Sequence, residues 1–268
     1  MPKISVIMGV YNGAKKLSYA IQSIQNQTFK DFEFIICDDG SSDESIKIVR
    51  RFASKDNRIV LIENPHNMGL AMTLNNCLKV AQGKYIARID DDDKAHPTRF
   101  EKQFNFLESH EEYAIVGTGR NMYDDEGIWG QSIIEGERSK LDIYLGRTFA
   151  HPSVMIRKEA IQQVNGYSTS ADIGRTEDFD LWCKLYFQGY KGFNLGEVLI
   201  DYYEARDSYS KRKYKYRICE FKLKKRWRKK LGVSWKYSLY AYRPLLVGML
   251  PSSILMNYHE KRFAKKHS

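Results

Sequence analysis

The sequence predicts an α/β fold in which a mostly parallel sheet is flanked by helices. Short β-branched runs alternate with longer helical patterns over the first hundred residues, a looser mixed pattern follows, and the last quarter is basic and helical. Alternating strands and helices are typical of a parallel sheet with right-handed crossovers, whose ligands bind at the carboxyl ends of the strands. Functional residues are therefore expected near positions 10, 38 and 90.

The first hundred residues follow the order βαβαβαβ. The strands are short apolar runs, and the helices carry apolar side chains at intervals of three and four residues. Ser41 to Glu44 has the pattern of a capping box for the second helix. The predicted strands are 4–10, 32–37, 59–63 and 85–90, and the predicted helices are 14–25, 45–52 and 70–81.

After residue 100 the elements are mixed in type. We expect helices at 97–109, 177–187 and 211–230, and strands at 114–117, 154–157 and 196–202. The chain is accordingly divided into a body, 1–206, and a basic, aromatic helical extension, 207–268. Within the body, 1–100 forms the regular half and 101–206 a mixed half.

Charge separates these two parts of the chain. The 268 residues carry a formal net charge of +10, but 207–268 hold 18 Lys or Arg and three acids, so the extension is +15 and the body −5. With 43% hydrophobic and 28% charged residues, the composition excludes collagen-like and wholly disordered chains. The two parts are therefore expected to meet different partners.

The cysteines and the apolar runs indicate a cytoplasmic protein. Four cysteines are widely separated without a CxxC pair, which favours reduced thiols. The N-terminus runs directly into a strand pattern without a signal peptide, and Arg243, Pro244 and Pro251 interrupt the most apolar stretch, 239–256. We expect no membrane-spanning helix.

Four carboxylates, Asp90 to Asp93, follow the fourth predicted strand. In an extended chain, Asp90 and Asp92 would converge while Asp91 and Asp93 face away or reach neighbouring groups. Hard oxygen ligands of this kind suit Mn²⁺ or Mg²⁺ shared with substrate phosphates. The alternative is a solvated acidic loop, which the position after a buried strand disfavours. An EF-hand is rejected because Lys94 and Ala95 stand where a ligand and a glycine are needed.

Two further turns lie at the same predicted edge. Asp38 and Asp39 end the second strand and could accept hydrogen bonds from a base or ribose, although helix capping explains this turn equally well. Val10, Tyr11 and Asn12 end the first strand, where an aromatic ring could stack on a base. Plain packing is the alternative for the tyrosine.

Taken together, these segments resemble the family 2 glycosyltransferases of the GT-A fold, of the type that builds bacterial surface polysaccharides. The resemblance covers roughly residues 3–206. It is carried by 5–12, 38–43, 67–70, 87–93, 151–153 and 176–182.

The resemblance implies a role for each matching position. Val10, Tyr11, Asn12 and Asp39 would hold the nucleotide, with Tyr11 and Asp39 at the base. Asp90 and Asp91 would lie against the ribose and diphosphate, and Asp92 would bind the metal through the DxD-like motif. Asp178 would be the catalytic base, with His151, Glu177 and Trp182 on the acceptor side. In this scheme 1–100 is the nucleotide-binding half and 101–206 the acceptor half.

The activity so implied is an inverting, metal-dependent transfer of a sugar from a nucleotide sugar, a UDP-sugar, to a glycan or lipid-linked glycan.

Two positions depart from the family pattern. Leu74 stands where many relatives have an arginine that helps bind the base, and Tyr202-Tyr203-Glu204 lacks the usual arginine, for which Arg206 is the nearest candidate.

Two alternative functions remain beside this interpretation. A sugar nucleotidyltransferase would need a glycine-rich loop after the first strand, and 12–16 is poor in glycine. A non-catalytic binding module would not need the acidic motifs.

The basic, aromatic stretch 211–268 suits an anionic membrane surface, and nucleic-acid binding or simple packing on the body are the other options. We predict a peripheral protein on the inner face of the cytoplasmic membrane and no nucleic-acid partner.

Overall fold

A ten-stranded mixed sheet organises the chain, whose computed structural model describes residues 1–205, 213–251, 254, 255, 258 and 263. The strands are β1 Ile4–Val10, β2 Phe32–Asp38, β3 Ile59–Glu63, β4 Tyr85–Arg88, β5 Lys94–Ala95, β6 Tyr113–Asp124, β7 Gly127–Ser132, β8 Gly136–Glu137, β9 Met155–Arg157 and β10 Lys191–Tyr203. The helices are α1 Ala14–Gln25, α2 Ser45–Ala53, α3 Leu70–Val80, α4 Arg99–Ser109, α5 Lys140–Tyr144, α6 Lys158–Gln163, α7 Glu177–Phe187, α8 Tyr214–Lys230 and α9 Arg243–Gly248. Short 3₁₀ helices occupy His151–Ser153 and Trp235–Tyr242.

The strand order is β3-β2-β1-β4-β9-β6-β10-β5, with β7 on β6 and β8 on β10. β3, β2, β1 and β4 are parallel, whereas β9 is antiparallel to both β4 and β6. The predicted α/β class and the regular first half are therefore confirmed. β6 and β10 extend well beyond the predicted 114–117 and 196–202, because they pair with each other in parallel over most of their length.

Both faces of the sheet are buried, as expected where helices cover each side. On one face, Ile4, Val6 and Met8 pack with side chains of α1 and α4. On the other, Ile7 and Ile35 belong to a cluster that includes side chains of α3, α7 and α8. The basic helix α8 thus contributes to the same core as the body.

The capping-box prediction at Ser41 is wrong. α2 begins at Ser45, and its cap residue Glu44 makes no side-chain capping bond. Ser41 Oγ instead accepts a hydrogen bond from the backbone N–H of Asn12 at 2.9 Å, and Asp43 Oδ2 accepts one from Ala14 at 3.1 Å. These side-chain oxygens therefore bond to backbone N–H groups in the turn after β1. The hydrogen bonds hold together the turns that follow β1 and β2.

Other expectations concern thiols, membrane spans and the domain boundary. All four cysteines are free thiols. Within the described ranges, no helix is both long enough and apolar enough to cross a bilayer. The boundary between 206 and 207, the candidate Arg206 and the first two residues of the predicted helix 211–230 lie outside the described residues.

Candidate active site

A cleft of about 900 Å³ opens at the carboxyl ends of β1, β2 and β4. This is the edge at which the strand order predicts ligand binding in an α/β sheet. The lining comes from both halves of the body and from α8. Lining residues include Val10, Tyr11, Asp39, Met68, Gly69, Asp90, Asp91, Asp92, Ser168, Ser170, Arg175, Glu177, Tyr202, Tyr203 and Tyr216.

Three carboxylates meet at the end of β4. Asp90, Asp92 and Asp93 each offer an oxygen, and these oxygens all lie within 4.8 Å of one another. Of the two placements expected for Asp93, facing away or reaching neighbouring groups, the structure shows the second. The chain does not stay extended here but turns, with the Asp93 N–H bonded to the Asp90 carbonyl at 3.3 Å. This turn brings the fourth carboxylate back to the first.

Asp93 is fully buried in this cluster. Its Oδ1 accepts a hydrogen bond from the Tyr203 N–H at 2.8 Å, whereas its Oδ2 has no partner among the described residues. An unpaired buried carboxylate oxygen is costly unless a cation is close. The cluster therefore has the donor chemistry that a divalent cation needs.

The electrostatics of the cluster agree with that interpretation. Burial, followed by repulsion from Asp92 and Asp90, raises the pKa of Asp91 to about 7. Burial and repulsion from Asp90 raise the pKa of Asp92 to about 6. Buried Arg88 forms an ion pair with Asp90, but its Nε and Nη1 have no partner among the described residues. The negative charge is only partly offset by the protein, and a metal ion would offset the rest.

Asp39 organises the loop beside the cleft. Its Oδ1 accepts hydrogen bonds from Asn64 Nδ2 and the Met68 N–H, both at 2.8 Å, and its Oδ2 accepts one from the Gly69 N–H at 2.9 Å. Gly69 has a φ of 86°, a conformation that favours glycine. Asp39 therefore fixes the loop leading into α3 and lines the cleft at the same time.

The turn after β1 presents an aromatic ring to the cleft. Val10 is buried and Tyr11 is 51% exposed, and both line the cleft. Asn12 has a different part, since its Oδ1 accepts a hydrogen bond from the Ser42 N–H at 2.9 Å and holds the turn in place. Gly13 allows Asp91 to approach, because a Cβ at this position would lie 2.0 Å from Asp91 Oδ2.

The first turn of α7 supplies one acid to the lining of the cleft. Glu177 lines the cleft, and burial together with the neighbouring Asp178 raises its pKa to about 7. Asp178 is half-buried beside it and is not among the residues that line the cleft. Both acids lie where the positive end of the helix dipole favours negative charge.

The structure separates the other two acceptor-side candidates from the cleft surface. His151 Nε2 lies 2.9 Å from the Tyr167 hydroxyl, and burial, with Arg88 nearby, keeps the pKa of His151 well below its usual range. Trp182 is fully buried and packs edge-on against His151 and Phe149. Long-range packing thus places the ring of Trp182 in the core beneath the site.

Several site residues escaped the sequence analysis. No sequence pattern around Asn64 or Tyr167 marks either residue, because each contributes through a hydrogen bond to a residue distant in the chain, Asp39 and His151 respectively. Asn75 brackets Tyr167 with two hydrogen bonds of 2.8 Å, while its neighbour Leu74 is fully buried in the core. Arg175 lies over the ring of Tyr216 at 5.5 Å, so the end wall of the cleft combines the loop before α7 with α8.

Comparison with known proteins identifies the class to which this fold and site belong. The model described as Glycosyl transferase family 2 matches residues 5–164. Glycosyltransferase EpsE of Bacillus subtilis is 37% identical over 262 residues, covering 97% of this chain and 94% of that protein. The chain belongs to glycosyl transferase family 2, and it is a glycosyltransferase.

A second relative has a more specific name. UDP-Glc:alpha-D-GlcNAc-diphosphoundecaprenol beta-1,3-glucosyltransferase WfaP of Escherichia coli is 29% identical over 216 residues, covering 80% of this chain and 82% of that protein. The family match favours the transferase interpretation over the nucleotidyltransferase and binding-module alternatives.

Solved structures confirm the GT-A fold. S. aureus TarS 1–349 in complex with UDP-GlcNAc has a TM-score of 0.65 at 18% identity, covering 91% of this chain and 70% of that one. The mannosyltransferase PcManGT of Pyrobaculum calidifontis, in complex with GDP-Man and Mn²⁺, has a TM-score of 0.63 at 18% identity, covering 97% and 80%. At this level of identity, the similarity establishes the fold.

Proposed function

We propose that this protein transfers a sugar from a UDP-sugar to a hydroxyl group of a lipid-linked or oligosaccharide acceptor in bacterial surface polysaccharide synthesis, with inversion at the anomeric carbon. One observation carries the proposal. A single cleft is lined both by carboxylates that end β4 and by Glu177, the first residue of α7, whose neighbour in the chain is Asp178. A donor diphosphate and an acceptor hydroxyl could thus meet in one place.

The donor is assigned to the side formed by β1, β2 and β4. Tyr11 would stack on the base, and the loop held by Asp39 would enclose the nucleoside. Asp90, Asp92 and Asp93 would hold Mn²⁺ or Mg²⁺, and Asp91 would lie near the diphosphate. A divalent metal, when bound, supplies positive charge for the leaving diphosphate. The UDP-glucose in the name of WfaP and the Mn²⁺ in the PcManGT complex support this assignment.

The acceptor is assigned to the α7 side, with Asp178 as the base. As the acceptor oxygen bonds to the anomeric carbon, its proton passes to the Asp178 carboxylate. The bond from that carbon to the diphosphate oxygen breaks, and its electron pair leaves with UDP. Glu177 lines the cleft beside this base. The diphosphoundecaprenol acceptor in the name of WfaP supports a lipid-linked glycan.

A lipid-linked acceptor would require the enzyme to work at the cytoplasmic face of the membrane. The basic, aromatic C-terminal part, within 211–268, would supply that peripheral contact. Nucleic acid is not assigned as a partner, because the acidic cleft is unsuited to a nucleic acid, whereas a glycosyl donor fits that cleft.

A panel of nucleotide sugars tests the proposal. Purified protein with Mn²⁺ should hydrolyse one UDP-sugar slowly, with the products identified by mass spectrometry, and chelation should stop the reaction. Absence of hydrolysis and of binding across UDP-, GDP- and dTDP-sugars would contradict the proposed donor site.

A further inference from the structure

A second cavity, of about 290 Å³, lies between the end of α5 and the start of α9. It is lined by Leu145, Gly146, Arg147, Tyr240 and Arg243. Both guanidinium groups are exposed there. Arg147 pairs with Asp142 at 3.1 Å, and Arg243 Nη1 donates to the Tyr240 hydroxyl at 3.0 Å. The Arg147–Arg243 cavity thus offers two cationic groups to an anion from solvent.

An apolar face adjoins this cavity. Along 235–250, four apolar side chains at intervals of four, seven and three residues are strongly exposed: Trp235 at 73%, Leu239 at 78%, Leu246 at 64% and Met249 at 74%. Several large apolar side chains so exposed along one short segment are unusual on a soluble protein and mark an interaction surface. We call these four residues the apolar face.

The inner side of the same segment is fixed to the body. The Tyr240 hydroxyl donates to the Leu145 carbonyl at 2.6 Å, and the Tyr144 hydroxyl donates to the Tyr237 carbonyl at 3.1 Å. Ala241 and Pro244 are buried against the protein. The segment is therefore held with its apolar side chains directed outward.

Charge decides which partner this surface fits. Residues 231–250 carry Lys236 and Arg243 and no Asp or Glu, and Arg147 lies beside Arg243 in the cavity. A second copy of the chain would bring an equally basic surface into contact, which like-charge repulsion disfavours. An anionic bilayer supplies the opposite charge and also accepts exposed Trp, Leu and Met side chains at its interface.

We propose that the Arg147–Arg243 cavity binds the phosphate of an anionic membrane lipid while the apolar face inserts between the lipid chains. This proposal deepens the proposed function and rests on it for the need to reach a lipid-linked acceptor. It also moves the membrane contact away from the basic helix α8. Arg217 and Lys224 of α8 are buried, and Lys224 Nζ donates to the Tyr144 carbonyl at 2.8 Å.

α8 then connects the two sites. Tyr216 in its first turn lines the cleft, and its last residue, Lys230, lies shortly before Trp235. At 1.5 Å per residue, the helix axis between Tyr216 and Lys230 spans about 20 Å. The glycan of a lipid-linked acceptor would extend over that distance from the membrane to the cleft.

Vesicle sedimentation of the full chain tests the proposal. Wild type should bind vesicles of phosphatidylcholine mixed with phosphatidylglycerol and should not bind phosphatidylcholine alone. The double variant Arg147→Gln, Arg243→Gln should bind the mixed vesicles about thirtyfold more weakly, because each cation near an anionic surface contributes about one factor of five. The variant Leu239→Ser, Leu246→Ser should also lose binding.

Matched controls change the same chemistry elsewhere. Arg51→Gln with Lys55→Gln removes two exposed charges, and Ile128→Ser removes one exposed apolar side chain, so both should bind as wild type does. Equal loss in the charge control, equal binding to neutral vesicles, or unchanged binding in the cavity variant would overturn the proposal. UDP-sugar hydrolysis is measured on the same samples. Vesicle binding without hydrolysis would contradict the proposed function and support the docking surface.

Discussion

Trp227 of α8 donates a hydrogen bond from Nε1 to Oδ1 of Asp180 in α7, at 2.8 Å and away from solvent. The other carboxylate oxygen of Asp180 accepts a hydrogen bond from the Ser168 hydroxyl at 2.5 Å. Ser168 lines the cleft, and Asp180 is two residues beyond Asp178. Helix α8 is thus linked through the buried Asp180 carboxylate both to α7 and to Ser168 in the lining of the cleft.

Trp227→Phe should therefore affect both stability and acceptor binding. It keeps most of the buried ring but removes the donor to Asp180, and a buried acceptor without its partner costs about 1–3 kcal/mol. Urea denaturation should show a loss of this order, and the KM for acceptor should rise more than the KM for donor. Unchanged stability and unchanged KM values would contradict the link.

Glu177→Gln should change how stability depends on pH. The pKa of Glu177 is about 7 in the folded protein and 4.5 ordinarily, because burial disfavours the charged form. Below pH 4.5 both states are protonated. As pH rises from 4.5 towards 7, the glutamate ionises in the unfolded chain before it ionises in the folded protein. The free energy of unfolding therefore falls over this range, and the destabilisation is complete above pH 7.

The uncharged glutamine does not carry this cost. Denaturation in the presence of chelator should show equal stability of variant and wild type well below pH 4.5, and a variant more stable by on the order of 3 kcal/mol at pH 8. A difference that is largest at low pH would contradict the sign of the shift. The cluster of Asp90 to Asp93 is present in both proteins and should contribute equally to both curves.

Asp93→Asn should separate metal binding from folding. Burial raises the pKa of Asp93 well above its usual range, so the ionised form is costly in the metal-free protein. Asparagine keeps an acceptor for the Tyr203 N–H but removes the charge. Calorimetry should show Mn²⁺ affinity lowered by about tenfold or more, since metal ligands must be deprotonated. Metal-free stability at pH 8 should not fall, and unchanged Mn²⁺ affinity would remove Asp93 from the metal site.

Asp178→Asn tests the base. The amide cannot accept the acceptor proton, so kcat should fall by about a hundredfold or more, the contribution typical of general base catalysis. UDP affinity should stay within the range of wild type. Glu177→Gln is the matched control and should retain most of the turnover. If Glu177→Gln loses turnover and Asp178→Asn keeps it, the base is Glu177, which lines the cleft.

The parts of the fold that the sequence predicts best are coded locally. β1, α1 and β3 have the predicted bounds because each is a short periodic segment bracketed by turn residues. The edge on which Tyr11, Asp39 and Asp90 meet follows from the parallel order of their strands. Strand order alone therefore predicts the location of the cleft.

What depends on distant contacts could not be predicted. Asp93 joins the cluster through a turn that the alternation of an extended chain does not contain. The burial of Trp182 depends on His151 and Phe149, and the role of α8 depends on Asp180, more than thirty residues before it. Such placements arise from the packing of whole elements and leave no periodic signal in the sequence.

Above all, we infer that the carboxylates after β4 bind a divalent cation together with the diphosphate of a nucleotide sugar. A crystal structure of the protein soaked with Mn²⁺ and UDP tests it most directly. We expect Mn²⁺ coordinated by oxygens of Asp92 and its neighbours in the cluster, with the uracil against Tyr11. An empty cleft at saturating concentrations of both solutes, or UDP bound away from this cluster, would contradict it.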